Sequence, residues 1–237
     1  MQKLLTIVIP TYNEEKYIAR TLFAIMSQKG IKNIKIIIAD AGSTDNTIKI
    51  INNLKEKFNL KLDIILGGLP AVGRNAGAKL AETPYILFLD ADVTFTKPNA
   101  VKKALRALTS HKYDMVSSTP VYFGDRDWRA SFMFWINKWT TLVVSKHSPF
   151  AIGGFTMIYK GLFNKLGGYD EQAMQSEDWL LSKQVNPKKF KIIPSLMTQD
   201  NRRFKRYGYW SMVKLIFKNW WNRNNLEYFY KDQKYWN

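Results

Sequence analysis

Apolar and polar positions fall into two alternating patterns over the first ninety-odd residues. Short apolar runs at Leu4–Ile9, Ile34–Ala39, Leu62–Leu66 and Tyr85–Leu89 are strand-length and read as strands buried on both faces. Between them, apolar or small residues recur at helical spacing: Ile18, Leu22, Ile25 and Met26, then Ile48, Ile51 and Leu54, then about Ala71 to Ala81. Repeated strand–helix alternation predicts an α/β fold whose central sheet is mostly parallel, with helices on both faces. Asn13, followed by Glu14 and Glu15, fits an N-cap of the first helix, and Ser43 or Thr44 of the second.

After Pro98 the alternation loosens. A helix is expected from Asn99 to Leu108 and a strand from Tyr113 to Ser117. From Trp128 to Val144, the residues Trp128, Phe132, Trp135, Trp139 and Leu142 repeat every three or four positions, which predicts a helix with an aromatic stripe. That stripe fits burial against the sheet, or rest in a membrane interface. Thr156–Tyr159 reads as a short strand after Gly153-Gly154-Phe155. Ser176-Glu177-Asp178-Trp179 opens a helix, with Ser176 as its expected cap and acids in its first turn. Phe190–Ile193 is expected as the last strand. Tyr209–Asn222 reads as an amphipathic helix, with Ser211, Lys214, Lys218 and Asn222 polar and Trp210, Val213, Phe217, Trp220 and Trp221 apolar.

Charge changes this picture. The chain has 36 Lys and Arg against 19 Asp and Glu, a net +17, which suits nucleic acid, anionic lipid or nucleotide phosphates as partners. Residues from 201 onward carry nine basic side chains, Lys231 and Lys234 among them, against Glu227 and Asp232. All eight tryptophans follow residue 127, and Trp mixed with Lys and Arg suits a membrane interface. There is no cysteine, which excludes thiolate metal sites and fits a reducing compartment. Met1-Gln2-Lys3 leads straight into the first strand without a signal-peptide layout, and no apolar run is long enough to span a bilayer.

Carboxylates at strand ends give the first chemical lead. The Tyr85–Leu89 run stops at Asp90-Ala91-Asp92, since an unpaired carboxylate must stay wet or meet a cation. Parallel strands would place Glu14, Asp40, Asp90 and Asp92 along one edge, with Arg74 beside them, where open α/β sheets bind ligands. Two carboxylates one residue apart can share a hard cation whose other positions are filled by phosphate oxygens. His111 or His147 could add a ligand. Neither a Gly-x-Gly-x-x-Gly after the first strand nor a P-loop is present, which argues against a dinucleotide dehydrogenase and a P-loop ATPase. A nucleotidyltransferase and a basic nucleic-acid-binding protein remain as alternatives.

Taken in order, the motifs resemble the inverting glycosyltransferases of family 2. These are Ile-Val-Ile-Pro-Thr-Tyr-Asn-Glu-Glu at 7–15, Asp-Ala-Gly-Ser-Thr-Asp-Asn-Thr at 40–47 and Gly-Arg-Asn-Ala-Gly at 73–77. Asp90-Ala91-Asp92, Gly153-Gly154-Phe155, Gly167-Gly-Tyr-Asp-Glu171 and Glu177-Asp178 complete the set, across roughly residues 4 to 206. The resemblance implies a GT-A fold, Rossmann-like, with residues 1–95 binding the nucleotide sugar. Residues 96–206 would bind the acceptor and carry catalysis, and 207–237 would form a basic helical tail. It implies a nucleotide pocket of Pro10, Thr11, Tyr12, Glu14, Asp40, Arg74, Asp90 and Ala91. Asp92, with Asp90, would hold Mg2+ or Mn2+. Asp178 would be the general base with Glu177 beside it, and Gly153, Gly154, Phe155, Glu177 and Trp179 would meet the sugars. Arg202 and Arg203 would contact phosphate. Processive members carry Gln-x-x-Arg-Trp where this chain has Gln199-Asp200-Asn201-Arg202-Arg203, which argues against polymerisation. The expected reaction moves one sugar from a nucleotide sugar, a UDP-sugar by preference, to a lipid-linked or glycan acceptor hydroxyl. The expected place is the cytoplasmic face of an anionic membrane, with no nucleic acid bound.

Overall fold

The computed structural model describes residues 4–31 and 34–231. The Met1-Gln2-Lys3 lead-in, Asp232 and Lys234 therefore lie outside the described residues. In chain order the first half contains β1 (Leu5–Thr11), α1 (Ile18–Met26), β2 (Lys35–Asp40), α2 (Thr47–Lys57), β3 (Leu62–Leu66), α3 (Pro70–Leu80), β4 (Tyr85–Leu89) and β5 (Thr94–Phe95). Next come α4 (Ala100–Thr109), β6 (Met115–Ser117), β7 (Pro120–Tyr122), α5 (Trp128–Val144), β8 (Phe155–Tyr159), α6 (Lys160–Lys165) and α7 (Glu177–Ser182). The remainder is β9 (Phe190–Ile192), β10 (Met197–Gln199), α8 (Arg202–Tyr207), α9 (Tyr209–Trp221) and α10 (Leu226–Tyr230).

The main sheet has the order β3-β2-β1-β4-β8-β6-β9. It is parallel except at β8, which runs antiparallel to both β4 and β6. The period of two along each strand sorts side chains to opposite faces. Leu5, Ile7 and Ile9 of β1 and Leu87 and Leu89 of β4 meet Ile18, Leu22 and Ile25 of α1, Ile51 of α2 and Val101 and Leu108 of α4. Val8, Ile37, Ile86 and Phe88 point the other way, toward Ala71 and Ala78 of α3 and Phe163 of α6. Both faces are thus covered, as the unbroken apolar runs require. Close approach of α3 depends on Gly77, where an added Cβ would fall 2.4 Å from Val8 Cγ1.

The strand order fixes the ligand edge. The chain steps outward from β1 through β2 to β3, then returns to the other side of β1 as β4. Open α/β sheets bind ligands at such a reversal, beyond the strands' C-terminal ends. The turns after β1 and β4 flank it.

Several local expectations change. β1 continues through Pro10 to Thr11, which pairs with Asp40, so Pro10 does not close it. Asn13 is no helix cap. It sits at φ 53°, and its Oδ1 accepts from the backbone nitrogens of Thr44 and Asp45 at 2.9 and 3.4 Å, tying the first two loops together. Ser43 and Thr44 do not cap α2, whose N-cap is Asn46; Ser43 Oγ instead donates to Asp40 Oδ1 at 2.6 Å. Ser176 is left-handed, at φ 59°, and makes no capping bond. β9 is not the last strand. A second sheet, β5-β10-β7, has no counterpart in the sequence reading, because strands of two or three residues carry no readable period.

The aromatic stripe of α5 faces outward. Trp128, Trp135 and Trp139 are all more than half exposed, while Ala130, Phe134 and Thr141 on the opposite side are buried. α9 has no buried residue; Met212, Leu215 and Asn219 are half-buried among its central positions. α10 does pack inward: Phe229 is fully buried against Ala173 and Leu180. Residues 207–231 are therefore anchored to the 96–206 half.

Candidate active site

Arg74 links the two halves of the site. α3 carries it beneath the ends of β1 and β4, where it is almost wholly buried. Its Nη2 donates to Asp90 Oδ1 at 2.7 Å, and its Nη1 donates to Glu177 Oε1. A buried guanidinium needs such partners, since an uncompensated buried charge is costly. The two carboxylates hold Arg74 firmly protonated against the opposing effect of burial. Asn75 fixes the next loop, with Nδ2 donating to Tyr169 O and Oδ1 accepting from Tyr169 N at 2.8 and 2.9 Å.

Asp178 lies beside this network. Its Oδ1 accepts from Trp179 N at 2.8 Å. A Cβ on Gly153 would fall 3.2 Å from both Asp178 Oδ2 and Arg74 Nη2, so glycine leaves the space those groups share. Burial and then the neighbouring Glu177 push the Asp178 carboxyl up to about 7, against the pull of Arg74. A carboxylate titrating near neutrality can take a proton from a hydroxyl.

Asp92 sits past the end of β4, only 3% exposed. Its Oδ2 is 2.9 Å from Arg202 Nη2, while its Oδ1 is buried with no hydrogen-bond partner. Burial pushes Asp92 up to about 6, with Arg202 opposing. Arg202 also makes two parallel bonds to Glu14, both 3.0 Å, and its guanidinium lies 4.8 Å from the Tyr17 ring centroid. The small sheet explains the meeting. β10 pairs with β5, which begins two residues after Asp92, so the chain leaving β10 delivers Arg202 to that carboxylate. Arg203 also adds to the positive potential at Asp92.

Asp40 is nearly buried, and both its oxygens are engaged within the loops: Thr11 Oγ1 at 3.0 Å, Ser43 N at 2.8 Å and Gly42 N at 3.0 Å. Tyr12 is exposed beside it.

These strand ends match a known family. Residues 6–167 fit the description Glycosyl transferase family 2. The chain belongs to that family. Among curated relatives it is 24% identical to glycosyltransferase GlyG of Streptococcus pneumoniae over 256 residues, spanning 98% of this chain and 80% of GlyG. It is 34% identical over 115 residues to the poly(ribitol-phosphate) beta-N-acetylglucosaminyltransferase TarS of Staphylococcus aureus, 47% of this chain but only 20% of TarS. Among solved structures it resembles TarS 1–349 in complex with UDP-GlcNAc, with a TM-score of 0.65 at 19% identity, covering 84% of this chain and 59% of that one. It also resembles the mannosyltransferase PcManGT of Pyrobaculum calidifontis in complex with GDP-Man and Mn2+, with a TM-score of 0.66 at 20% identity, covering 82% and 55%. The fold is GT-A.

In this family 2 chain the positions singled out from sequence divide into groups. Glu14, Asp92 and Arg202 meet directly, as do Arg74, Asp90 and Glu177, with Asp178 and Gly153 alongside. Phe155 is fully buried, edge-on to Phe95, so its side chain supports the floor and does not line the site. Ala91 is buried too, its carbonyl accepting from Thr21 Oγ1 at 2.6 Å. Gly154 packs on Val93 and Met197. Trp179 is half-buried, 5.4 Å from Phe229 ring to ring, with Lys183 Nζ 4.7 Å from its ring centroid. His111 and His147 are exposed, and among the described residues no group of three or more His, Cys, Asp or Glu could hold a metal. Two residues had no sequence signal: Tyr17 beneath Arg202, and Asn137 on the inward face of α5.

Proposed function

We propose that this family 2 member transfers a single sugar from a nucleoside-diphosphate sugar, a UDP-sugar by preference, to an acceptor hydroxyl with inversion. The observation that carries the reading is Arg74, one buried guanidinium bound to Asp90 on the donor edge and to Glu177 beside Asp178. It supports a reading in which Asp178, next to Glu177, acts close to the acidic pair. Asp178 takes the proton of the acceptor hydroxyl, and with no second enzymic nucleophile invoked, one displacement inverts the anomeric carbon. Glu177, paired with Arg74, is the neighbouring charge that helps raise the Asp178 carboxyl.

Asp92 and Asp90 are the residues that would hold Mg2+ or Mn2+. The orphaned, buried Asp92 Oδ1 fits a hard, oxygen-seeking cation, and few protein ligands suit an ion completed by phosphate oxygens. When bound, the ion would neutralise charge on the departing diphosphate. Arg202 and Arg203 would hold the same phosphates by charge-assisted hydrogen bonds. Pro10, Thr11, Tyr12 and Asp40 would border the nucleoside.

The acceptor is proposed to be lipid-linked or a membrane-associated glycan, met at the inner face of a membrane by peripheral attachment. A net charge of +17 and the exposed aromatic faces of α5 and α9 support that place. Among the described residues no helix is long and apolar enough to cross a membrane. Of the three readings left open by sequence, family membership supports the glycosyltransferase. A screen of nucleotide sugars for Mn2+-dependent thermal stabilisation, followed by a transfer assay, tests it. A donor at a hundredfold excess over its Kd should add about 2.7 kcal/mol. If no nucleotide sugar stabilises the protein, the reading fails.

A further inference from the structure

The segment between Gly168 and α7 carries two local costs immediately before Glu177. Ser176 sits in the left-handed region, at φ 59° and ψ 27°, and its side chain does not cap α7. A residue with a Cβ rarely takes that conformation, and such strain persists only where surrounding contacts over-determine it. Gln175 is 1% exposed, yet among the described residues neither end of its amide meets a hydrogen-bond partner. A buried amide left unpaired is costly too.

Contacts from α9 and α10 hold this segment. Asn219 of α9 donates from Nδ2 to Ser176 Oγ at 3.2 Å, and its Oδ1 accepts from Tyr228 Oη of α10 at 2.9 Å. Both ends of the Asn219 amide are thus used, one to grip the strained residue and one to be held itself. Phe229 O accepts from Met174 N at 2.9 Å, and Tyr230 Oη donates to Asp170 Oδ2 at 2.9 Å. The fully buried Phe229 ring lies 5.4 Å from that of Trp179, the residue after Asp178. The two helices therefore touch the chain on both sides of the Glu177-Asp178 pair. Between those points Glu177 reaches Arg74, and Asp178 Oδ2 lies beside Gly153.

We propose that α9–α10 is a strap that sets this loop, and that Asn219 is a positioning residue for Asp178. By holding Ser176 left-handed, Asn219 turns the chain so that Glu177 and Asp178 leave it toward Arg74 and Gly153. A rotation at Ser176 displaces the carboxylate that takes the acceptor proton, and a shift of about 1 Å at a reacting group costs on the order of 10²-fold. The proposal rests on the glycosyltransferase reading above and adds that the end of the chain serves the chemical step.

The test compares four variants of the full chain: Asn219→Ala, Tyr228→Phe, Ser176→Ala and Ser176→Gly. Transfer is assayed with the nucleotide sugar that the stabilisation screen selects, and UDP affinity in Mn2+ is measured by calorimetry. Asn219→Ala should lower kcat about tenfold or more and leave donor KM and UDP affinity within about twofold. Tyr228→Phe removes one hydroxyl and keeps the ring. It should lower kcat about threefold in the same way, so the test stands even if Asn219→Ala does not fold. Ser176→Ala should match Asn219→Ala. Ser176→Gly should stay within about threefold of wild type, because glycine takes a positive φ without strain. Asn219→Ala placed on Ser176→Gly should then cost little more. Loosened packing alone predicts the reverse order, since glycine adds chain freedom and would do more harm than alanine. Ser176→Gly falling below Ser176→Ala therefore overturns the proposal, as does unchanged kcat in Asn219→Ala and Tyr228→Phe, or a parallel loss of UDP affinity. Hydrogen exchange over residues 170–182 reads the strap without a donor. It should rise about tenfold in Asn219→Ala with the β1–β4 core unchanged, and no rise overturns the strap. A rise there in a chain whose wild type turns over no nucleotide sugar would sink the proposed function and leave a strap on Glu177.

Discussion

Arg202 Nη2 lies 2.9 Å from Asp92 Oδ2, so a cation beside the candidate metal ligand comes from the first residue of α8. The same guanidinium grips Glu14 with two 3.0 Å bonds, joining the loops after β1, β4 and β10 at one point. Donor phosphate and metal would have to share these groups with Arg202.

Asp92→Asn should therefore remove metal-dependent turnover while the protein stays folded. A loss of at least about 10²-fold is expected, the scale of one missing electrostatic stabiliser of the transition state. Initial rates across a Mn2+ titration, with an EDTA control, measure it. Full activity in the variant, or in EDTA, would exclude the metal role.

Asp178→Asn should cut turnover by about 10²- to 10⁴-fold, the usual contribution of a general base. Donor binding should hardly change, because Asp178 does not meet the diphosphate edge in this reading. Turnover and nucleotide affinity measured on one preparation separate the two. Collapse of affinity with turnover spared would make Asp178 a binding residue.

The pH dependence of the same side chain has a definite sign. Burial and Glu177 raise Asp178 from 3.8 to about 7, so between those values the folded protein keeps a proton that the unfolded chain has released. Its stabilising contribution is full below about pH 4 and is lost as pH rises toward 7. Catalysis needs the deprotonated form, so the rate should climb through about 7. Asp178→Asn should flatten the stability profile and make the protein more stable than wild type at pH 8. Urea unfolding at pH 5, 6.5 and 8 reads this, and a wild-type-like slope in the variant would contradict it.

Arg74→Met should destabilise by about 3–5 kcal/mol, because it leaves buried Glu177 and half-buried Asp90 without their counter-charge. Arg74→Lys should keep more stability but little activity, since one ammonium lacks the planar fork that reaches both carboxylates. Denaturant midpoints and transfer rates for the pair would show whether Arg74 holds the two halves together.

Attachment to anionic vesicles should be measurable by flotation and should weaken with salt. Each basic side chain near the surface contributes about 1 kcal/mol. Deleting residues 209–237 is a poor control, because Phe229 belongs to a core cluster with Ala173 and Leu180. Trp220→Ser with Trp221→Ser removes exposed aromatics and leaves that cluster intact. Vesicles that fail to float the wild-type chain at low salt would point to a soluble acceptor.

The sequence by itself determined the β1–β4 half. β3, β4 and α5 fall on the expected residues, because unbroken strand-length runs and helical repeats are local signals set by burial on both faces. That Glu14, Asp40 and Asp90 share one edge, with Arg74 beside them, followed from parallel pairing, but the order of the strands along that edge did not. Tertiary structure decided what pattern cannot carry. The period of α5 marked an aromatic stripe, yet the body buries Ala130, Phe134 and Thr141 instead, since periodicity says which residues share a face and not what that face meets. Thr156–Tyr159 was legible as a strand but its reversal as β8 was not, and the small β5-β10-β7 sheet was invisible for want of length; that sheet brings Arg202 to Asp92. The unpaired Asp92 Oδ1 and Asn137 Oδ1 were invisible too, because whether a buried oxygen finds a partner depends on atoms distant in the chain.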